Sequence, residues 1–189
     1  MLSAPIRLLT RASAAAGARS AAPVSEVWAV LAHPGRWPEF DPFLASVTAV
    51  PAVTAVEAHS GKSGTGAHTV GDGGLNTDSD DEVEVGQQFR ALVRMSVFEL
   101  PIVVDHVVPR SSLVITARLL PGLAEEVEHL LIPSAAGGSQ VTVRITLQGP
   151  LALPALIPRW LLRTLTVRLL ARAAEGELRS RDRRVSSVA

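Results

Sequence analysis

Between Gln87 and Gln148, apolar and polar residues alternate in one short run after another, a pattern that few folds accept. In Gln87–Val97, Phe89, Ala91, Val93, Met95 and Val97 fall on one side, and Gln88, Arg90, Arg94 and Ser96 on the other. That period of two is the mark of a half-buried strand. Ile102–Val108 reads as the next strand. Leu113, Ile115, Ala117 and Leu119 then oppose Thr116 and Arg118, while Val127, His129 and Leu131 oppose Glu126 and Glu128. Val141, Val143, Ile145 and Leu147 alternate with Thr142, Arg144, Thr146 and Gln148. The connections at Pro109–Ser112, Pro121-Gly122 and Gly137-Gly138 are short and built from turn residues. Successive strands joined this way make an antiparallel meander, covered on one face only.

The cover lies near the C-terminus. From Arg159 to about Arg179, Leu162, Leu165, Thr166, Leu169 and Ala173 recur at spacings of three and four and predict one apolar helix face. Arg168, Arg172 and Arg179 fall opposite, and the Pro/Leu-rich stretch Gly149–Pro158 reads as a connector. Upstream, Pro23 suits a first helical turn, and Val24, Val27, Trp28 and Leu31 follow helical spacing. His33-Pro34-Gly35 ends that helix, and Trp37–Phe43 gives a second, broken turn rich in aromatics. An Ala-rich first strand is expected over about Ser13–Ala22, and a Val-rich one over Ser46–Ala58, with Pro51 at an edge or bulge. His59–Asp81, with its glycines and acidic cluster, reads as a solvated loop.

A chain of 189 residues with 47% apolar content has enough material for one domain with a sizeable core. Its formal net charge is zero, which argues against a nucleic-acid binder. There is no cysteine, hence no disulfide, thiolate metal site or Cys nucleophile, and no tyrosine. No apolar run is long enough to span a membrane. Residues 1–11 are expected to be a disordered or targeting segment, 12–178 the folded domain with 59–81 as a loop insertion, and 179–189 a disordered tail. The expected location is cytoplasmic. The acid-free, Arg- and Ala-containing residues 1–22 leave a mitochondrial transit peptide as the alternative.

The order of elements (strand, two short helices, about six to seven antiparallel strands, one long helix) resembles the START-like or Bet v 1-like superfamily. Within it, the chain is most similar to the polyketide cyclase/dehydrase and lipid-transport family. The resemblance rests on Ala22-Pro23, Glu26-Val27-Trp28, Trp37-Pro38-Glu39-Phe40 and Val85-Gly86-Gln87-Gln88-Phe89, and spans about residues 12–178. The chain departs from the family pattern at His33, at Phe40 and in the long 59–81 loop. The resemblance implies an α+β helix-grip fold: a curved antiparallel sheet wrapped on a long C-terminal helix, enclosing an apolar cavity. It also implies a hydrophobic small-molecule ligand of lipid, polyketide, isoprenoid or quinone type. Relatives include carriers as well as cyclases and aromatases, and fold alone does not choose between them.

The residues expected to touch such a ligand are Trp28, Phe40, Phe89, Met95, His129, Leu162, Leu165 and Leu169. His129 shares its strand face with Val127 and Leu131, so it is either a satisfied core histidine or the acid–base group of a cyclase, aromatase or dehydratase. Asp105-His106 sits in a Val-rich strand, where regular pairing would turn one of the two inward. Glu126 and Glu128 lie opposite the core and suit cross-strand pairs with Arg118 or Arg144. Gly61-Lys62-Ser63 lacks the earlier glycine of a phosphate loop, and Asn76–Asp80 lacks the glycine and glutamate of a calcium loop. No metal or cofactor is expected. The Arg-rich helix face offers a third reading, contact with anionic lipid or a partner.

Overall fold

The computed structural model describes residues 11–51, 82–94 and 98–186. Seven strands form one antiparallel sheet: β1 (Arg11–Ser20), β2 (Leu44–Ala49), β3 (Gln88–Val93), β4 (Glu99–Val108), β5 (Ser112–Leu120), β6 (Leu123–Pro133) and β7 (Ser139–Gln148). Their order is β1-β7-β6-β5-β4-β3-β2, so the first strand closes against the last and the rest is a meander. Between β1 and β2 come α1 (Val24–Leu31), a 3-10 turn over Pro34–Arg36 and α2 (Trp37–Phe40). The long α3 (Ala152–Ser186) follows β7.

β1 has poor intrinsic strand propensity, half of its residues being alanine. It is a strand because β7 pairs with it along its whole length, from Arg11↔Gln148 to Ser20↔Ser139. Its small side chains also let α3 lie close over that end of the sheet. Trp160 Nε1 donates to the Ala15 carbonyl (3.0 Å) and Ser20 Oγ to the Ala171 carbonyl (3.0 Å), so α3 satisfies polar groups along an edge strand. Gly149 makes the turn into α3 possible. Its φ is +133°, and a Cβ there would lie 1.8 Å from the Gly122 carbonyl oxygen of the β5–β6 turn.

The expected alternation is realised on β3, β5, β6 and β7, whose inward residues form the core with α1, α2 and α3. β4 departs from it. A bulge between Val104 and His106 lets both Asp105 and His106 face solvent, where Thr116 Oγ1 donates to Asp105 Oδ2 (2.6 Å).

α3 corrects the sequence reading in two ways. It begins at Ala152, so the expected connector is helix. Pro154 sits in the first turn, where an N–H is dispensable, and Pro158 is exposed, so the carbonyl it leaves unpaired can reach water. The helix also continues to Ser186, through the stretch expected to fray. Its buried side is Arg163, Thr166, Val167, Leu170, Ala171 and Ala174, turned from the predicted face. Leu165 is consequently 46% exposed. Arg168, Arg172 and Arg179 are exposed as expected. The loop 59–81 lies outside the described residues, as does the end of the Ser46–Ala58 strand beyond Pro51.

Candidate functional site

β6 turns Glu125, Val127, His129 and Leu131 inward on alternate positions. Two of these four inward groups are ionisable, and both are buried, Glu125 fully and His129 to 3% exposure. α3 meets them with Arg159 and Arg163, one turn apart on the same side. Arg163 Nε donates to Glu125 Oε1 (3.2 Å), and its Nη1 donates to Asp41 Oδ2 (2.6 Å). Arg159 Nη2 donates to the other Glu125 oxygen. Asp41, which ends α2, is held in place by the Phe43 main-chain N–H donating to its Oδ1 (3.0 Å). The result is a buried chain, Asp41–Arg163–Glu125–Arg159, whose formal charges cancel.

Burial first, and Arg163 second, push the Arg159 guanidinium down to about 10 despite Asp41, and it stays cationic at neutral pH. The same guanidinium lies over the Phe43 ring, 5.6 Å from its centroid. Burial is also the main reason that His129 is pushed down to about 3. The Arg163 charge adds to this, while Asp41 and the main chain of Leu113 oppose it. His129 is therefore neutral across the physiological range. Its Nδ1 has no hydrogen-bond partner in the protein, and neither has Arg159 Nε.

These groups border a chamber of about 40 Å³ lined by Leu31, Trp37, Phe40, Asp41, Phe43, Leu44, Leu100, Ile102, Ile115, Ala117, His129, Arg159 and Arg163. The space under the helix is thus largely filled by side chains, and it admits one functional group or a few waters rather than a lipid. Next to it runs an open apolar groove of about 580 Å³, lined by Phe43, Val93, Phe98, Glu99, Leu100, Leu119, Leu120, Pro121, Leu123, Ala155, Pro158 and Arg159. Phe43, Leu100 and Arg159 line both spaces, so the two adjoin there.

Of the residues expected to touch a ligand, Phe40 and His129 line the chamber. Phe89 stands behind it, its ring 5.7 Å from that of Trp37 and tilted by 54°. Trp28 is buried elsewhere, with its indole N–H donating to Glu82 (2.5 Å) beside a surface hollow shared with His33. Leu162 and Leu169 are half-buried and border neither space, and Leu165 faces outward. Met95 lies outside the described residues. Glu128 pairs with Arg144 (2.9 Å) on the outer face, one of the two partners expected for that glutamate. Asp41, Glu125, Arg159 and Arg163 were absent from the expected set. Strand parity is the one signal that could have found Glu125, since it shares its strand face with His129. The other three carry no local signal, because an arginine on a helix, or an aspartate at a helix end, is ordinarily read as solvent-facing. Among the described residues, no group of three or more His, Cys, Asp or Glu side chains is placed to hold a metal ion, and no helix is long and apolar enough to cross a membrane.

The fold recurs in solved structures at low identity. Protein NE0264 from Nitrosomonas europaea is 13% identical with a TM-score of 0.59, the match covering 87% of this chain and 95% of that one. Protein MLL2253 from Mesorhizobium loti is 16% identical with a TM-score of 0.57, over 87% and 98% of the two chains. Ara h 8.0201, a Bet v 1-like protein, is 15% identical with a TM-score of 0.57, over 90% and 99%. These likenesses establish the Bet v 1-like helix-grip architecture. No curated protein matches the chain. The model of the family described as polyketide cyclase / dehydrase and lipid transport matches residues 20–174. With its curved seven-stranded sheet, its long closing helix and a family match over most of its length, the chain belongs to the polyketide cyclase/dehydrase and lipid-transport family.

Proposed function

We propose that the protein binds an apolar small molecule whose body lies in the groove and whose polar end enters the chamber. The observation that carries this reading is the junction of the two spaces at Phe43, Leu100 and Arg159: an apolar groove of ligand size leads to a small chamber with a few placed polar groups. Binding sites for small molecules have this make-up, mostly apolar walls with few convergent polar atoms. Lipids, polyketides, isoprenoids and quinones all fit the apolar requirement. Native mass spectrometry of gently purified protein is expected to show a co-purifying molecule, and an apolar fluorescent probe is expected to bind the wild type and to be lost from Leu100→Arg. A wild-type protein that carries nothing and binds no apolar probe would refute the reading.

Cyclase, aromatase or dehydratase chemistry with His129 as acid–base is the weaker reading. An imidazole titrating at about 3 carries no proton to give at neutral pH and is a feeble base.

A further inference from the structure

Two buried polar side-chain atoms of the site's residues have no hydrogen-bond partner in the protein, His129 Nδ1 and Arg159 Nε. Both belong to residues lining the same chamber of about 40 Å³. Arg159 Nε is a donor only. In a neutral imidazole Nδ1 either donates or accepts, according to tautomer. A buried polar atom without a partner is destabilising, so a group that satisfies both is favoured there.

Charge decides what kind of group. Both cations are already matched: Arg163 by Asp41 and Glu125, and Arg159 by Glu125. A carboxylate or phosphate entering the chamber would add an unmatched negative charge beside Asp41 and Glu125. An ammonium would meet two guanidiniums and a histidine that is already uncharged. Either ion would be desolvated without compensation. We infer that the chamber selects an uncharged oxygen as the ligand head, a ketone carbonyl or a hydroxyl, with Arg159 Nε–H donating to it and His129 Nδ1 as its second contact. A carbonyl suits the Nδ1–H tautomer, since it accepts from both. A hydroxyl suits the other tautomer, accepting from Arg159 and donating to His129. This inference names the ligand class for the binding function proposed above and rests on it.

The test is a probe series of one tail and different heads: decyl methyl ketone, decanol, decanoate, decyl phosphate, decylamine and decane. Each displaces an apolar fluorophore from the full-length protein at about pH 8, where the carboxylate and phosphate are ionised. The ketone or the alcohol is expected to bind at least about tenfold more tightly than any charged probe and than decane. His129→Phe and Arg159→Lys, each checked for folding by circular dichroism, are expected to retain decane and to lose most of that preference. Arg159→Lys leaves a positive charge beside Glu125 while removing Nε–H. Equal binding of all six probes, or preference for a charged one, would overturn the head-group assignment and leave the binding function standing. Failure of every probe, decane included, would overturn both. If either folded variant keeps the full preference, its contact is wrongly assigned.

Discussion

The two halves of α3 are built in opposite senses. From Thr166 onward the helix is apolar inside and charged outside: Val167, Leu170, Ala171 and Ala174 are buried, and Arg168, Arg172 and Arg179 are exposed. This half is tied to the segment before β2 at several points. Glu175 accepts from the Ala21 main-chain N–H (2.9 Å), Glu177 pairs with Arg36 (3.3 Å), and Arg181 pairs with Glu26 (2.5 Å). From Ala152 to Leu165 the arrangement is inverted. Arg159 and Arg163 point inward, while Leu153, Ile157, Trp160, Leu161 and Leu165 are 40% to 67% exposed. The ordinary half holds the sheet and helix together. The inverted half borders the groove and supplies the cations of the chamber. Inversion is tolerated because β6 and α2 provide carboxylates for both arginines, and without them two buried guanidiniums would be prohibitive.

The contrast can be broken most severely at Glu125. Glu125→Ala strands Arg159 and Arg163 without their shared partner and is expected to cost about 3–5 kcal/mol in chemical denaturation. A cost under about 1 kcal/mol would mean that water already neutralises the inverted half. In the ordinary half, Leu170→Ala is expected to cost about 2–5 kcal/mol, whereas Leu165→Ala in the inverted half stays within about 0.5 kcal/mol. If the two exchanged places in such melts, the buried face of α3 would be the one expected from periodicity alone.

Acid probes the chamber itself. The His129 imidazole titrates near 6.5 when unfolded and at about 3 when folded, so between these values the unfolded chain holds a proton that the native protein lacks. Stability is therefore lost as pH falls below about 6.5, and this contribution stops changing below about 3. At about pH 5 the loss is about 2 kcal/mol relative to pH 8. His129→Phe should flatten that part of the profile, and a profile matching the wild type would show that His129 is solvated. A smaller effect is expected at Arg181, whose own side chain is 65% exposed but whose partner Glu26 is buried. Arg181→Ala should cost about 1–2 kcal/mol by the same denaturation, because it leaves the buried Glu26 carboxylate without its cation while water reaches the pair from the Arg181 side.

Much of the fold is legible in the chain. Alternation at Phe89-Ala91 and Val127-His129 reports which side of a strand is covered, because the strand period is two and a wrong register would bury every charge. Turn residues at Pro121-Gly122 and Gly137-Gly138 likewise mark the hairpins. The candidate site was legible only in part. His129 and Phe40 were visible, and Glu125 follows from the same parity as His129. Leu165 misled because the first half of α3 is apolar on two sides, so its periodicity supports more than one buried face. Trp28 misled because an aromatic in a helix registers as core without showing which cavity it borders.

The sequence by itself determined the meander, the short helices before it, the long helix after it and the family they belong to. The elements depend on local period and turn chemistry, and the family on the motifs at Ala22-Pro23, Glu26-Val27-Trp28 and Trp37-Pro38-Glu39-Phe40. Only the tertiary structure decided that Arg163 is buried, since its stability there requires Asp41, 122 residues earlier at the end of α2, and Glu125 on β6. Local pattern measures how a segment separates oil from water. A buried charge is stable only through the opposite charge that folding brings to it, and that partner is set by the packing of distant elements.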